Sequence, residues 1–129
     1  MMHCRSLDTP YQVSFSNGVF EAVCDATSDK GGSGLGFRPH ELLEAALGSC
    51  TAMMVRMYAD NHKIPLEEVV ATVSLDRSDP ETTAFVCSLT FIGEDLTSEH
   101  RRKLLRAARA CHVRRTLSRK LVFREIEES

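Results

Sequence analysis

The sequence predicts an α+β fold in which an antiparallel sheet packs on one side against two helices. Three observations lead to this prediction. Two pairs of segments alternate apolar and polar residues, as hairpin strands do. One long segment, residues 39–59, is apolar on nearly every helical face, and a later segment has the periodicity of an amphipathic helix. The predicted order is ββ-α-ββ-α-β, and a chain of 129 residues fits a single domain over residues 1–129.

The first hairpin is predicted around Asn17-Gly18. Residues 11–16 and 19–25 alternate on either side of this dipeptide, and Asn-Gly between alternating runs is a strong hairpin signal. The residues before this hairpin, including Cys4, are expected to be frayed. Residues 29–36 are rich in glycine, and we expect them to form a linker or lid before the central helix.

The central helix is predicted from Pro39 to the neighbourhood of Asn61. Proline suits the first helical position, and Glu41 lies in the first turn, where the helix dipole favours an anion. Gly48 lowers helix propensity, so we expect another group to approach the helix closely there. Because a helix without a polar face needs cover on all sides, and one small sheet cannot supply it, we expect a homodimer.

The second hairpin and second helix complete the predicted fold. Residues 68–76 and 83–92 alternate around a turn. Thr97 or Ser98 is the expected N-cap of the second helix. Leu104, Ala108 and Cys111 follow at helical spacing and form its apolar stripe, residues 113–118 add a helical turn, and residues 121–126 are predicted to be a final strand.

Charge and motifs limit the possible partners. Ten of the sixteen basic residues lie within residues 101–124, but this segment lacks interleaved aromatic residues and the pattern of a recognition helix. Nucleic-acid binding is therefore the least favoured of the functions considered. The glycine-rich segment lacks the spacing of a phosphate-binding loop, and Cys87, Cys111 and His112 lack the spacing of metal ligands. We expect no cofactor and no metal.

Five cysteines without C-x-x-C spacing do not form a disulfide framework of the secreted type. The first residues contain no apolar signal segment, and no uncharged apolar run approaches the ~20 residues of a membrane span. We therefore expect a cytoplasmic protein with reduced thiols and no membrane partner.

Cys50 and Cys111 are the candidate reactive thiols, because each lies on a predicted helix beside small residues. Cys24 and Cys87 occupy inward strand positions and are expected to be inert. A thiol needs a nearby cation or hydrogen-bond donors to ionise, and the arginines near Cys111 could provide positive potential. A thiolate attacking a peroxide would form a sulfenic acid, which a second thiol converts to a disulfide. The alternative is that both cysteines are packed hydrophobic residues.

Two segments resemble a known family. Residues 39–52, PHELLEAALGSCTA, are similar to the P-x-E-L-L-x-x-A-L-x-x-C-T-A pattern of the OsmC/Ohr family, in its P-x-E-L-L branch. Residues 107–117, AARACHVRRTL, resemble the family's A-x-x-C-P-V-x-x-T-L pattern. The resemblance implies an intertwined α+β homodimer that reduces organic hydroperoxides and is reduced by a dithiol. It implies Cys50 as the peroxidatic thiol, Cys111 as the resolving thiol and Glu41 as a further catalytic residue.

The sequence departs from the well-characterised peroxidases of this family at three places. His40, and not a glutamate, follows Pro39; the early strand has no arginine; and His112 replaces the proline after the second cysteine. Arg38 or an arginine of the second helix could substitute for the missing cation. These departures leave open an alternative function, a small-ligand-binding protein with weak or no peroxidase activity. Met53, Met54, Met57 and Phe37 are possible pocket residues or plain core.

Overall fold

The structure, a computed structural model, describes residues 1–128. The fold is α+β with antiparallel sheets, as predicted. The chain divides into two compact units, residues 1–44 and the residues from Ala45 onward.

The first unit contains a three-stranded antiparallel sheet. Its strands are β1 (His3–Ser6), β2 (Val13–Ser16) and β3 (Glu21–Cys24), in that order across the sheet. The β2–β3 hairpin turns at Asn17-Gly18, as predicted. The Asn17 side-chain oxygen accepts the N–H groups of Val19 and Phe20 at 2.9 and 2.8 Å, and Gly18 adopts φ +97°. This side-chain closure with a left-handed glycine is the reason for the Asn-Gly preference.

The prediction of a frayed N-terminus is wrong. Residues His3 to Ser6 pair with β2, and Cys4 lies opposite Phe15. The four residues of this segment are exposed and have no alternating apolar pattern. Their pairing with β2 depends on main-chain hydrogen bonds, which an apolar pattern in the sequence does not predict.

The glycine-rich segment is fastened to β3 by Asp25. This side chain is 2% exposed. It accepts the N–H groups of Ser33 and Leu35 and the amide of Gln12 at 3.4, 3.0 and 3.2 Å. These bonds hold the pKa of Asp25 below its usual value, and the bond from Leu35 has the largest influence. The segment therefore has a specific anchor, and its first residues belong to a short 3₁₀ turn (Ser28–Lys30).

Helix α1 (Pro39–Asn61) begins at Pro39, as predicted, and its residues from Ala45 onward belong to the second unit. One chain leaves part of this apolar helix uncovered, as expected; its burial by a second copy stays a prediction. Val55 and Ala59 are fully buried, whereas Met53 and Met57 are 58% and 57% exposed. Apolar composition on every face does not require that every face be covered within one chain.

The second unit also contains an antiparallel hairpin and two further helices. Strands β4 (Glu68–Asp76) and β5 (Ala84–Ile92) pair with Val73 opposite Cys87. Helices α2 (Ser98–Ala108) and α3 (His112–Leu117) follow. Thr97 is the N-cap of α2, as predicted, and its hydroxyl accepts the N–H of His100 at 3.1 Å. The core of this unit contains Val55, Ala59, Ile64, Leu66, Phe91, Leu104 and Ala108.

Three details of the predicted topology are wrong. The strands of residues 1–128 form two separate sheets, not one. Periodicity identifies strands but does not determine which strands pair. Residues 121–126 form no strand; Phe123 and Ile126 are 93% and 99% exposed. Cys111 is not on α2, because that helix ends at Ala108 and Cys111 adopts a non-helical φ of −55° and ψ of 128° as the N-cap of α3.

Close packing explains Gly48 on α1. A Cβ atom at this position would lie 3.3 Å from Cγ2 of Val73 on β4. The expected close approach is thus made by a strand side chain. Among residues 1–128, no helix is both long and apolar enough to cross a membrane.

Candidate active site

Cys50 and Cys111 are neighbours in the second unit, although they are far apart in sequence. Cys50 is on α1 and partly exposed, whereas Cys111 at the start of α3 is only 1% exposed. The Cys50 side chain lies close enough to Cys111 to lower the pKa of the Cys111 thiol, and all five cysteines of the chain are free thiols. The two elements therefore bring together the two thiols singled out from the sequence.

Several donors surround the sulfur of Cys111. The main-chain N–H of Arg114 donates to Sγ at 3.4 Å. Burial is the largest influence on this thiol and opposes its ionisation. It is outweighed by the influence of the Cys50 side chain, the main chain at Arg114 and Val113 and the Thr51 side chain, so the pKa of Cys111 lies below its ordinary value. The site therefore favours a thiolate on the buried sulfur.

Thr51 is a site residue that the sequence analysis missed. It is 5% exposed, and its hydroxyl donates to the carbonyl oxygen of Leu47 at 2.7 Å. The same side chain is among the groups that lower the pKa of Cys111. Its position directly after Cys50 in the C-T-A motif was the available signal. Only the packing of α1 against Cys111 shows what the hydroxyl does.

A cavity of about 300 Å³ adjoins Thr51. Its apolar side is formed by Leu47, Leu89, Leu105 and Ala108, and its remaining wall by Thr51, Cys87, Arg109 and Arg114. A second cavity of about 280 Å³ shares Leu47, Cys87 and Arg114 with it. Arg109 and Arg114 thus belong to the lining of the cavity beside Thr51. That an arginine of this region substitutes for the missing cation stays a prediction.

Cys87 does not behave as predicted. It was expected to be an inert core residue, but it is exposed and faces both cavities. Alternation places Cys87 on the same face of β5 as Phe85 and Leu89, but the two cavities adjoin its side chain and leave it exposed. Cys24, in contrast, is buried as predicted, and burial is the main cause of its raised pKa.

Glu41 lies in the first turn of α1 and is engaged with Arg38. Its carboxylate accepts the main-chain N–H of Arg38 at 2.7 Å and forms an ion pair with the guanidinium at 3.3 Å. The main-chain hydrogen bond is the largest influence in lowering the pKa of Glu41. The carboxylate therefore accepts a main-chain N–H at the start of α1. The catalytic role of Glu41 stays a prediction from the resemblance.

The other candidate pocket residues lie elsewhere. Met53 and Met57 line a shallow groove with Arg56, Glu67 and Val69, not the cavity beside Thr51. Phe37 is 54% exposed, and its main chain is hydrogen bonded to β3. Within residues 1–128, the structure contains no cluster of three or more His, Cys, Asp or Glu side chains suited to a metal ion.

The family model described as OsmC-like protein matches residues 31–125, which is more than half of the chain. The chain belongs to the OsmC-like family. This match includes both thiols of the pair and the segment between them. No curated protein matches the sequence.

Solved structures of OsmC-like proteins share the fold. An OsmC-like protein from Mycoplasma pneumoniae superposes with a TM-score of 0.73 at 14% identity, over 91% of this chain and 85% of the other. An organic hydroperoxide resistance protein OsmC from Legionella pneumophila gives 0.65 at 21%, over 92% and 88%. The organic hydroperoxide resistance protein OhrB of Bacillus subtilis gives 0.63 at 19%, over 92% and 89%. These similarities concern the fold.

Proposed function

We propose that this OsmC-like protein is a thiol peroxidase that reduces organic hydroperoxides through Cys50 and Cys111, in defence against oxidative stress. The closeness of the two thiols, near enough for the Cys50 side chain to lower the pKa of Cys111, is the observation that carries the proposal. A sulfenic acid formed on one sulfur would have the other within reach for disulfide formation. The names of the similar proteins from Legionella pneumophila and Bacillus subtilis agree with this activity.

The different accessibility of the two thiols supports the proposed roles. Cys50 is partly exposed, so it is the sulfur that a hydroperoxide can reach, whereas Cys111 is almost fully buried. In the first step, the Cys50 sulfur attacks the terminal peroxide oxygen, the O–O bond breaks and an alcohol leaves. In the second step, the Cys111 thiolate attacks the sulfenic acid of Cys50 and releases hydroxide, which becomes water. The peroxide is reduced by two electrons, and an external dithiol then reduces the disulfide.

The cavity beside Thr51 fits a small substrate with an apolar body. Three leucines, Leu47, Leu89 and Leu105, form its apolar side. Apolar contact supplies binding free energy without a specific polar group on the substrate. A small apolar hydroperoxide such as cumene hydroperoxide is therefore a suitable test substrate.

The active form is proposed to be a homodimer. Met53 and Met57 are exposed on α1, and residues 121–126 carry exposed apolar side chains without pairing in this chain. Apolar surface of this kind favours burial against a second copy. Sedimentation of the protein at micromolar concentration should give twice the monomer mass.

Peroxidase assays test the function directly. Reduced protein is mixed with cumene hydroperoxide and dithiothreitol, and peroxide consumption is followed. We expect turnover that disappears in Cys50→Ser and persists in Cys4→Ser, since Cys4 is an exposed cysteine of the first unit.

Consumption that is unchanged in Cys50→Ser would reject the assigned chemistry. No consumption above background by the wild-type protein would instead favour the alternative, a small-ligand-binding protein of the same fold. Direct binding of cumyl alcohol, followed by calorimetry, would then support that alternative.

A further inference from the structure

Most of the basic residues between positions 101 and 124 have no acidic partner within the chain. All ten of them except Lys103 are exposed. Among residues 1–128, the carboxylate that pairs with this segment is that of Glu99, at 3.9 Å from Arg102 and 3.5 Å from Lys103. The other eight basic side chains form no ion pair in the described part of the chain, although the sequence contains 18 acidic residues. The segment therefore presents uncompensated positive charge.

Three arginines of this segment lie on one face of α2. Arg102, Arg106 and Arg109 follow at the i, i+4 and i+7 spacing of one helical face, and we call this set the arginine stripe. Arg109 is the C-cap and keeps helical φ and ψ of −70° and −14°. The buried residues of the helix, such as Leu104, are on the opposite side. Like charges at this spacing destabilise a helix, so an anion bound along the stripe would stabilise it.

The arginine stripe ends beside the thiol site. Arg109, its last member, lines the cavity of about 300 Å³ together with Thr51 and Arg114. Thr51 directly follows Cys50 on α1, and Cys111 comes two residues after Arg109. A macromolecule bound along the stripe is therefore held next to this cavity and to the segment that carries one of the two thiols.

The chemistry of the stripe favours an acidic protein over other polyanions. A planar guanidinium group binds a carboxylate through two hydrogen bonds. A helix that binds a membrane inserts its apolar face into the lipid, but the apolar face of α2 is buried in the core of the second unit. Single-stranded nucleic acid stacks on aromatic side chains, and residues 101–120 contain no Phe, Tyr or Trp. Leu105, which is 47% exposed, adds an apolar contact beside the stripe.

We propose that the arginine stripe is the docking surface for an acidic protein that carries the reducing dithiol. The inference rests on the proposed peroxidase function, which consumes one dithiol in each turnover. Complementary charge increases the rate of encounter between two proteins and orients them. The stripe selects the reductant, whereas the thiol pair performs the chemistry.

The docked partner reduces the Cys50–Cys111 disulfide in two exchange steps. A thiolate of the partner attacks the more accessible sulfur of Cys50, the disulfide bond breaks and Cys111 leaves as a thiolate. The second thiol of the partner then attacks the partner sulfur of the mixed disulfide, and Cys50 leaves. The partner loses two electrons and becomes a disulfide, and the two protons of its dithiol are taken up by Cys50 and Cys111.

Two dithiol peptides test the proposal. Both contain the same Cys-x-x-Cys sequence, which is followed by a run of glutamates in one peptide and of glutamines in the other. Protein oxidised with one equivalent of cumene hydroperoxide is mixed with each peptide, and loss of the disulfide is followed by acid quenching and mass spectrometry. We expect the glutamate peptide to react at least about tenfold faster at low ionic strength, and this preference to disappear in about 0.5 M NaCl. Equal rates for the two peptides at low ionic strength would overturn the proposal.

Two double variants locate the interaction. Arg102→Gln with Arg106→Gln removes two charges from the stripe and keeps Arg109 in the cavity wall. Arg5→Gln with Lys30→Gln removes the same charge from exposed positions of the first unit. The preference for the glutamate peptide should fall at least about threefold in the stripe variant and keep its wild-type value in the control. An equal fall in both variants would show that net charge determines the preference, and would overturn the assignment to the stripe.

Reduction by dithiothreitol separates the inference from the proposed function. Dithiothreitol is uncharged, so its rate with each variant normalises the rates of the peptides. If the hydroperoxide produces no Cys50–Cys111 disulfide in the wild-type protein, both the function and the inference fail. If the disulfide forms and dithiothreitol reduces it, but the glutamate peptide is not preferred, only the inference fails.

Other polyanions are tested with the same variants. Sedimentation with phosphatidylglycerol vesicles and fluorescence anisotropy with a short DNA duplex measure binding of the wild-type protein and of the two double variants. Binding to either that is lost in the stripe variant, together with equal rates for the two peptides, would assign the stripe to that polyanion and overturn the proposal. A preference for the glutamate peptide that depends on the stripe supports the acidic protein.

Discussion

The main-chain N–H of Arg114 points at the sulfur of Cys111, with a nitrogen–sulfur distance of 3.4 Å. Cys111 caps α3 through this bond, in the way that serine or asparagine caps a helix through oxygen. Because the donor belongs to the backbone of α3, it is fixed by the first turn of this helix and does not depend on a flexible side chain. Ionisation of this thiol is therefore coupled to correct folding of the turn.

This coupling predicts how stability depends on pH. The pKa of Cys111 is lowered in the folded state, so its ionisation contributes stability that is complete above the unfolded value of about 8.5 and is lost as pH falls through the folded pKa. Urea unfolding is measured for the reduced wild-type protein and for Cys111→Ser. The unfolding free energy of wild type minus that of the variant should grow from pH 6 to pH 9. A difference that is constant over this range would contradict the lowered pKa.

The cysteines should differ in their rates of alkylation in the folded protein. Cys87 is exposed, whereas Cys24 is 9% exposed and burial is the main cause of its raised pKa. Because the thiolate is the reacting species, we expect iodoacetamide to modify Cys87 at least about tenfold faster than Cys24 at pH 8. Peptide mass spectrometry measures both rates in one sample. If Cys24 and Cys87 were alkylated at equal rates in the native protein, as they should be in urea, Cys24 would lie outside the core.

Leu104 and Leu105 form a matched pair on α2. Leu104 is fully buried in the core of the second unit, whereas its neighbour Leu105 is 47% exposed. Replacement of Leu104 by alanine should lower the free energy of unfolding by about 2–5 kcal/mol through lost burial and the cavity left behind. Leu105→Ala should cost much less, and denaturant unfolding compares the two. Similar losses would show that the assigned helix face is incorrect.

Gly48 and Val73 should be energetically coupled. An alanine at position 48 gains about 1 kcal/mol of helix propensity, but its Cβ would lie 3.3 Å from the Val73 side chain. We expect Gly48→Ala to be near neutral alone and to stabilise by about 1 kcal/mol in a Val73→Ala background. Urea unfolding of the four proteins in this double-mutant cycle gives the coupling. Additive effects would mean that the contact carries no strain.

Local signals in the sequence determined most elements of the fold. Asn17-Gly18 specified the first hairpin, Pro39 the start of α1, strict alternation the β4 strand and Thr97 the start of α2. Each of these signals is local: a turn or a cap depends on a side chain and its few neighbouring residues, and a strand or helix on the spacing of apolar residues. The resemblance of two short motifs also identified the family correctly.

Tertiary structure decided what local signals do not encode. Strand pairing produced two sheets and added β1, and the turn after Ala108 placed Cys111 as a cap and not on the α2 stripe. The influence of Thr51 on the pKa of Cys111 and the exposure of Cys87 also result from contacts between distant segments. Alternation and helical period specify which face a residue occupies. They do not specify which atom lies opposite, and that atom determines whether a thiol ionises.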